Sequence, residues 1–236
     1  MKVARLFLPL IAVALSAQAL AAPMLIPHTA QYKVKISMVS GVLNTELRRT
    51  GDGYVANHVI SPTGVAKLLV NGSMDVTSEF SSDNNGVKPV RFRSIDTIRD
   101  DPDENLIFNW DTNEVSGTVG EDAVLLKLDG ISHDSVSLQY QLMHDLMNGG
   151  PSEQYVLFDL DKMRIANVTD AGTKKIKTKA GTFDAVGIRH QKEGSSRTTT
   201  MWCVEELGFL PVIIEQHRKG KVNFRATLVK YTPTQE

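Results

Sequence analysis

Apolar and polar residues alternate through most of this chain. In Tyr32, Val34, Ile36 and Met38 the apolar side chains fall at every second position, with Gln31, Lys33, Lys35 and Ser37 between them. That is the two-residue period of a strand with one face in a core. Similar runs predict strands over residues 43–50, 54–61, 66–70, 90–98, 106–110 and 123–128. A second series covers 154–160, 163–168, 173–179, 183–190, 197–204, 212–218 and 222–231. Asp52-Gly53, Asn71-Gly72, Asn85-Gly86, Ala180-Gly181 and Lys219-Gly220 punctuate them, supplying the glycine that tight reversals use for positive φ. Short strands joined by short turns make an antiparallel meander, and more than a dozen of them imply a large barrel or half-barrel.

One segment has a different period. Over residues 135–148, Val136, Tyr140, Leu142, Met143, Leu146 and Met147 share one helical arc, while Ser137, Gln141, His144, Asp145 and Asn148 take the other side. Asp134 or Ser132 can cap its start, and Gly149-Gly150-Pro151 ends it. One amphipathic helix therefore joins two β-rich halves of a single domain, residues 22–236. Its apolar face either packs as ordinary core or covers a cavity, with the flexible Met143 and Met147 beside Tyr140 as an adaptable cover.

The first residues follow neither period. Lys2 and Arg5 precede an uncharged apolar run from Leu6 to Leu15, and small residues close it at Ala17-Gln18-Ala19 and Ala19-Leu20-Ala21. This is the layout of a secretory signal peptide, cut after Ala21 or, alternatively, Ala19. The apolar run is shorter than the roughly 20 residues that span a bilayer, and no cysteine at the junction offers a lipid-attachment site. The expected product is a periplasmic, unanchored chain in a bacterial envelope, with no transmembrane segment.

Removing 21 of the 236 residues leaves 215. Loss of Lys2 and Arg5 from 26 basic residues leaves 24 against 27 acidic ones, formally −3. That balance argues against nucleic acid as a partner, which needs clustered positive charge. Cys203 is the single cysteine, so packing rather than a disulfide must hold the exported fold. Its apolar neighbours Met201, Trp202 and Val204 point to a buried, inert thiol.

No spacing announces chemistry. The six histidines show neither H-x-x-x-H nor H-E-x-x-H, so no metal or cofactor is expected. G-x-S-x-G and S-x-x-K are absent. The acidic run from Asp100 to Glu104 reads as a solvated hairpin tip, and Glu205-Glu206, adjacent on a strand, point to opposite faces and so cannot act as a catalytic pair on one substrate. Lys175, Lys177 and Lys179 alternate on one predicted strand face beside Lys174. They form either an aggregation-proof edge or a contact for anionic envelope material such as lipid head groups.

The C-terminal third has more individual character. Thr178-Lys179-Ala180-Gly181-Thr182-Phe183 forms a T-x-A-G-T-F hairpin, followed by the Trp202 strand and Leu210-Pro211-Val212. Upstream, Asp134, Ser137, Tyr140 and Leu142 give D-x-x-S-x-x-Y-x-L. Across residues 28–231 this arrangement resembles exported bacterial proteins of the domain-of-unknown-function 3108 family, with Val136 where a leucine is usual. The resemblance implies compartment and fold rather than an activity. The ending, from the tryptophan strand through L-P-V to Lys219-Gly220-Lys221, is also similar to periplasmic lipoprotein carriers, whose half-barrels hold acyl chains under helices.

These readings converge on a non-enzymatic periplasmic protein that binds a lipophilic or amphiphilic envelope component. Tyr140, Met143, Met147, Trp110, Trp202 and Phe183 are its candidate cavity residues. The alternative is an envelope scaffold with a solid core and a protein partner. A third is an envelope hydrolase, which would bring His144 or His217 against a buried carboxylate in a cleft.

Overall fold

The computed structural model describes residues 24–36, 39–51 and 53–234. The expected signal segment and its cleavage site, with Ser37, Met38 and Asp52, lie outside the described residues. The N-terminal half contains β1 (His28–Ile36), β2 (Val39–Thr50), β3 (Gly53–Pro62), a helical turn α1 (Ala66–Leu69), β4 (Met74–Asp83) and β5 (Gly86–Asp96). It continues with β6 (Asp101–Asn109), β7 (Glu114–Val119) and β8 (Asp122–Lys127). The C-terminal half contains β9 (Ser132–His133), α2 (Ser137–Met147), β10 (Gln154–Asp159), β11 (Lys162–Lys177) and β12 (Thr182–Lys192). Then come β13 (Arg197–Val204), one 3-10 turn (Glu205–Leu207), β14 (Leu210–Arg218) and β15 (Lys221–Pro233).

Among the described residues, fifteen strands form one sheet in the order β8-β7-β6-β5-β4-β3-β2-β1-β15-β14-β13-β12-β11-β10-β9. The β1–β15 ladder joins the two ends of the chain at the middle of the sheet. Two meanders run outward from that seam, so β8 and β9 are edges and the sheet is not closed. Every pairing is antiparallel except the short β9–β10 contact.

Sequence alternation explains the ladders. In β1, His28, Ala30, Tyr32 and Val34 are buried while Thr29, Gln31, Lys33 and Lys35 are exposed. β13 runs from Arg197 to Val204 as its pattern predicts. Pro211 lies inside the sheet but pairs with Cys203 where the β13–β14 register shifts, a place where its missing N–H is tolerated. Cys203 is buried, and burial pushes its thiol up to about 12, away from nucleophilic use.

Several expectations are corrected. Residues 66–70 form the turn α1 and the residue after it rather than a strand; a five-residue apolar run fits either period when no longer stretch decides. The runs 163–168 and 173–179 are one strand, β11, with a register shift between Asp170 and Gly172. Lys179 falls beyond its end, in the turn closed by Thr178 N–H donating to the Gly181 carbonyl at 2.8 Å. Glu205 and Glu206 sit in the 3-10 turn. Asp101 to Glu104 begin β6 instead of forming a tip.

The helix departs from its expected amphipathic setting. Ser137, Gln141 and His144, read as its polar side, are buried with Leu138, Tyr140, Leu142 and Met143. Sheet lies on both sides of it: Tyr140 and Met143 join the main core, while Leu138 and Leu142 join a second cluster with Tyr155, Leu157, Ile188 and Met201. No helix among the described residues is long and apolar enough to cross a membrane.

Candidate functional site

Polar side chains fix α2 to the N-terminal half. The Asp134 carboxylate accepts Val136 N–H and Ser137 N–H, both at 2.8 Å, and the Ser78 hydroxyl of β4 at 2.7 Å. Ser137 Oγ returns the contact by accepting Asp134 N–H at 2.9 Å, so Asp134 does cap the helix. Burial raises the Asp134 pKa, and these hydrogen bonds pull in the opposite direction. One turn on, Gln141 Oε1 accepts Val87 N–H of β5 at 2.6 Å. His144 Nε2 lies 3.0 Å from the Asp83 carbonyl. Gly86 makes this approach possible, because a Cβ there would stand 2.5 Å from Gln141 Oε1.

Contact with the C-terminal half is mainly apolar. Its main polar pin is at the helix end, where the Tyr155 phenol donates to Asp145 Oδ2 at 2.5 Å and accepts Ser152 N–H at 2.8 Å. Burial, followed by the Asp145 contact, raises the Tyr155 pKa. The same pair of bonds holds the Gly149-to-Ser152 connection against β10.

Two clefts flank α2 on this C-terminal side. The larger, about 750 Å³, lies between Leu146 at the helix end, the Pro151–Gln154 connection, and β11 and β12. Its apolar lining includes Leu146, Val168, Val186 and Ile188, and Asp170 and Thr173 come from the two sides of the β11 irregularity. Asp170 Oδ1 accepts Gly172 N–H at 2.7 Å, and Gly172 has φ +80°, a glycine-favoured bulge that bends the strand. Gly187 lies opposite Gly172. A Cβ on Gly187 would meet the Trp202 ring at 2.7 Å, so the tryptophan packs flush behind the sheet here. Among the described residues, Glu153 and Asp170 are the charged members of the lining, with no lysine, arginine or histidine.

The second cleft, about 260 Å³, lies at the other end of the helix beside Ser135, Leu138 and Leu142. His190, Lys192 and Arg197 line its far wall. Lys192 Nζ is 2.5 Å from Asp159 Oδ1, and burial holds the His190 pKa down to about 4.

The sequence-predicted residues separate into groups. Tyr140 is fully buried beside Phe80, ring centroids 5.2 Å apart, with its hydroxyl 3.4 Å from His58 Nε2. Met143 is buried and Met147 half-buried in the same core. Trp110 lies just beyond β6, its indole N–H donating to the Pro89 carbonyl at 2.7 Å. Phe183 and Trp202 share the sheet face that carries Ile176 and Lys174, with Lys174 Nζ 3.5 Å from the Trp202 ring centre. None of these six lines either cleft beside α2. Lys175 is exposed and ion-paired with Asp184 at 2.7 Å, and Lys177 is exposed at the end of β11. The large cleft itself was hidden in the sequence, because its lining comes from four separated segments. The Asp170-Ala171-Gly172 step was its one local mark.

His144 Nδ1 does lie 3.2 Å from Asp145 Oδ1, both side chains being largely buried. A hydrolytic histidine would need its other nitrogen free for substrate, and here that nitrogen faces the Asp83 carbonyl. Neither residue lines either of the two clefts. Among the described residues, no three histidine, cysteine or acidic side chains gather as metal ligands.

The sequence pattern described as "Protein of unknown function (DUF3108)" matches residues 29–227. No curated protein matches in sequence. Among solved structures, the chain is similar to a beta-barrel-like protein of the domain of unknown function DUF1849 from Brucella abortus. The TM-score is 0.61 at 13% identity, covering 90% of this chain and 99% of that one; this shows a shared fold. A protein from Parabacteroides distasonis, provisionally described as a lipoprotein, gives a TM-score of 0.37 at 11% identity, over 89% of this chain and 97% of its own. That likeness is too slight to carry an argument.

Proposed function

We propose that this chain, which belongs to the DUF3108 family, is an exported, non-enzymatic protein that binds a lipophilic or amphiphilic envelope molecule. The carrying observation is the cleft of about 750 Å³ beside the end of α2. Its size falls within the roughly 300–1,000 Å³ of small-molecule sites. Leu146, Val168, Val186 and Ile188 offer apolar contact, and about 25 cal/mol for each Å² they cover is available to a ligand. Glu153 and Asp170 set its electrical character. An anionic group brought among two carboxylates and no cation would be repelled. The ligand class is therefore an apolar body with an uncharged or cationic polar end.

A fluorescence titration with N-phenyl-1-naphthylamine, an uncharged apolar probe, tests this reading. The wild-type chain should show saturable enhancement. Thr173→Trp, which fills the cleft from an exposed strand position, should weaken it about tenfold, the equivalent of roughly 1.4 kcal/mol. Equal enhancement in both proteins would place the probe elsewhere and reject the site.

A further inference from the structure

A different face of the sheet gathers four basic side chains around one cleft. Lys33 and Lys35 of β1, Arg225 of β15 and Lys179 of the β11–β12 turn together line a cleft of about 440 Å³. Cross-strand register places Lys35 opposite Arg225, while Lys179 arrives from the far end of a hairpin more than 140 residues away in sequence. Arg225 is paired with Glu215 at 3.0 Å. Among the described residues, Lys33, Lys35 and Lys179 make no ion pair. In a chain of formal net charge −1, three lysines gathered without ion pairs beside Arg225 mark a surface suited to an anionic partner.

A second feature adjoins it. Lys35 pairs with Ser40 of β2, and the Ser40 carbonyl accepts Thr63 N–H at 3.0 Å. Thr63 opens the turn containing α1, so the basic stripe and this turn are about two strand spacings apart, roughly 10 Å. On the turn, Val65 is 73% and Leu68 is 86% exposed, large aliphatic side chains offered to solvent, with the exposed Lys67 between them.

We propose that this end of the sheet docks on the surface of an anionic lipid bilayer. Lys33, Lys35, Lys179, Arg225 and Lys67 would meet the headgroup phosphates, and Val65 and Leu68 would enter the boundary with the acyl chains. Lysine suits this role because its stem lies along apolar material while the ammonium stays at the polar layer. Two separate aliphatic tips cannot supply the roughly 800 Å² per partner of a stable protein interface. They do suit shallow insertion beside basic residues. The docking surface is independent of the cleft beside α2, so either can fail alone.

The test is co-sedimentation of the mature chain with vesicles of phosphatidylcholine alone or with about 30% phosphatidylglycerol. Binding to the anionic vesicles only, and its loss in high salt, is expected. Each basic residue near such a surface contributes about fivefold in partition. Lys33→Gln, Lys35→Gln and Lys179→Gln combined should therefore reduce binding by about a hundredfold. Val65→Asp with Leu68→Asp should also reduce it, while Lys162→Glu, at the start of β11, should not. All these positions are exposed, and unchanged thermal midpoints would verify folding. Equal binding to both vesicles, or indifference to the lysine substitutions, overturns the proposal. So does displacement by soluble glycerol phosphate at matched headgroup concentration, which would make the cleft a single-phosphate site. Absence of binding to either vesicle also overturns it and would redirect the basic cleft to an acidic protein segment.

Discussion

Both sides of α2 carry apolar packing, but its polar anchors concentrate on one of them. Toward the N-terminal half, Asp134, Gln141 and His144 reach Ser78, Val87 N–H and the Asp83 carbonyl at 2.7, 2.6 and 3.0 Å. Toward the C-terminal half, Leu138 and Leu142 rest on Tyr155, Leu157, Ile188 and Met201, with Tyr155 to Asp145 as a pin at the end. Hydrogen bonds fix direction and register, whereas apolar contact is non-directional. Both clefts beside the helix lie on the apolar side. The helix is thus anchored by one half of the sheet, and both clefts open against the other.

The sharpest way to break this comparison is to remove a residue from the anchored side. Tyr140→Ala deletes a fully buried ring packed on Phe80 and should cost about 3–5 kcal/mol in urea denaturation. Gln141→Leu leaves Val87 N–H buried without its acceptor and should cost about 1–3 kcal/mol. Across the helix, Tyr155→Phe loses the pin to Asp145 and the acceptor for Ser152 N–H. A loss of about 1–2 kcal/mol is expected, with faster amide exchange at Gly149 to Ser152. If Tyr155→Phe proved costlier than Tyr140→Ala, the assignment of anchor and resting side would be reversed.

Acid should weaken the structure on both sides. Burial holds His58, His133 and His190 down to about 4, so between about pH 6.5 and 4 the unfolded chain binds protons that the folded chain refuses. Stability from each is present above the unfolded value and is lost as pH falls, by up to about 1.4 kcal/mol per pH unit. Glu104 opposes this. Burial, then the Asp159 and Asp134 charges, raise it to about 7, and its effect favours the fold as pH drops toward its unfolded value. Asp134, also raised by burial, acts in the same direction. The three histidines should prevail, giving a lower thermal midpoint at pH 5 than at pH 7. His133→Asn should flatten that slope, and an unchanged slope would show that this histidine is not held neutral. The smallest expected effect is Thr173→Trp, within about 0.5 kcal/mol of wild type because its position is exposed.

How far the sequence carried depended on whether the cause of a structure was local. Alternation marked β1 because one of its faces is buried and the other exposed, whereas β13 was legible from its apolar run Met201 to Val204, buried on both faces. β4 was passed over, since Ser78 stands at an inward position between Val76 and Phe80. That serine is inward to reach Asp134, 56 residues away, which no window of periodicity can reveal. The α2 span was legible from its apolar arc, but the burial of Gln141 and His144 depends on the β4–β5 hairpin. Tyr140 and Met143 were correctly placed in the helix's apolar arc, yet they fill the core rather than line the cleft. Lys179 was legible as basic, but its meeting with Lys33, Lys35 and Arg225 follows from how the hairpin lies across the sheet.

Mass spectrometry of an organic extract is the most direct measurement of the binding account. The protein would be purified without detergent and compared with Thr173→Trp and with an unrelated control. A near-stoichiometric apolar or amphiphilic molecule, uncharged or cationic at its polar end, is expected with the wild-type chain and should be depleted from Thr173→Trp. An empty extract, or equal ligand in both proteins, would contradict a binding site beside the end of α2.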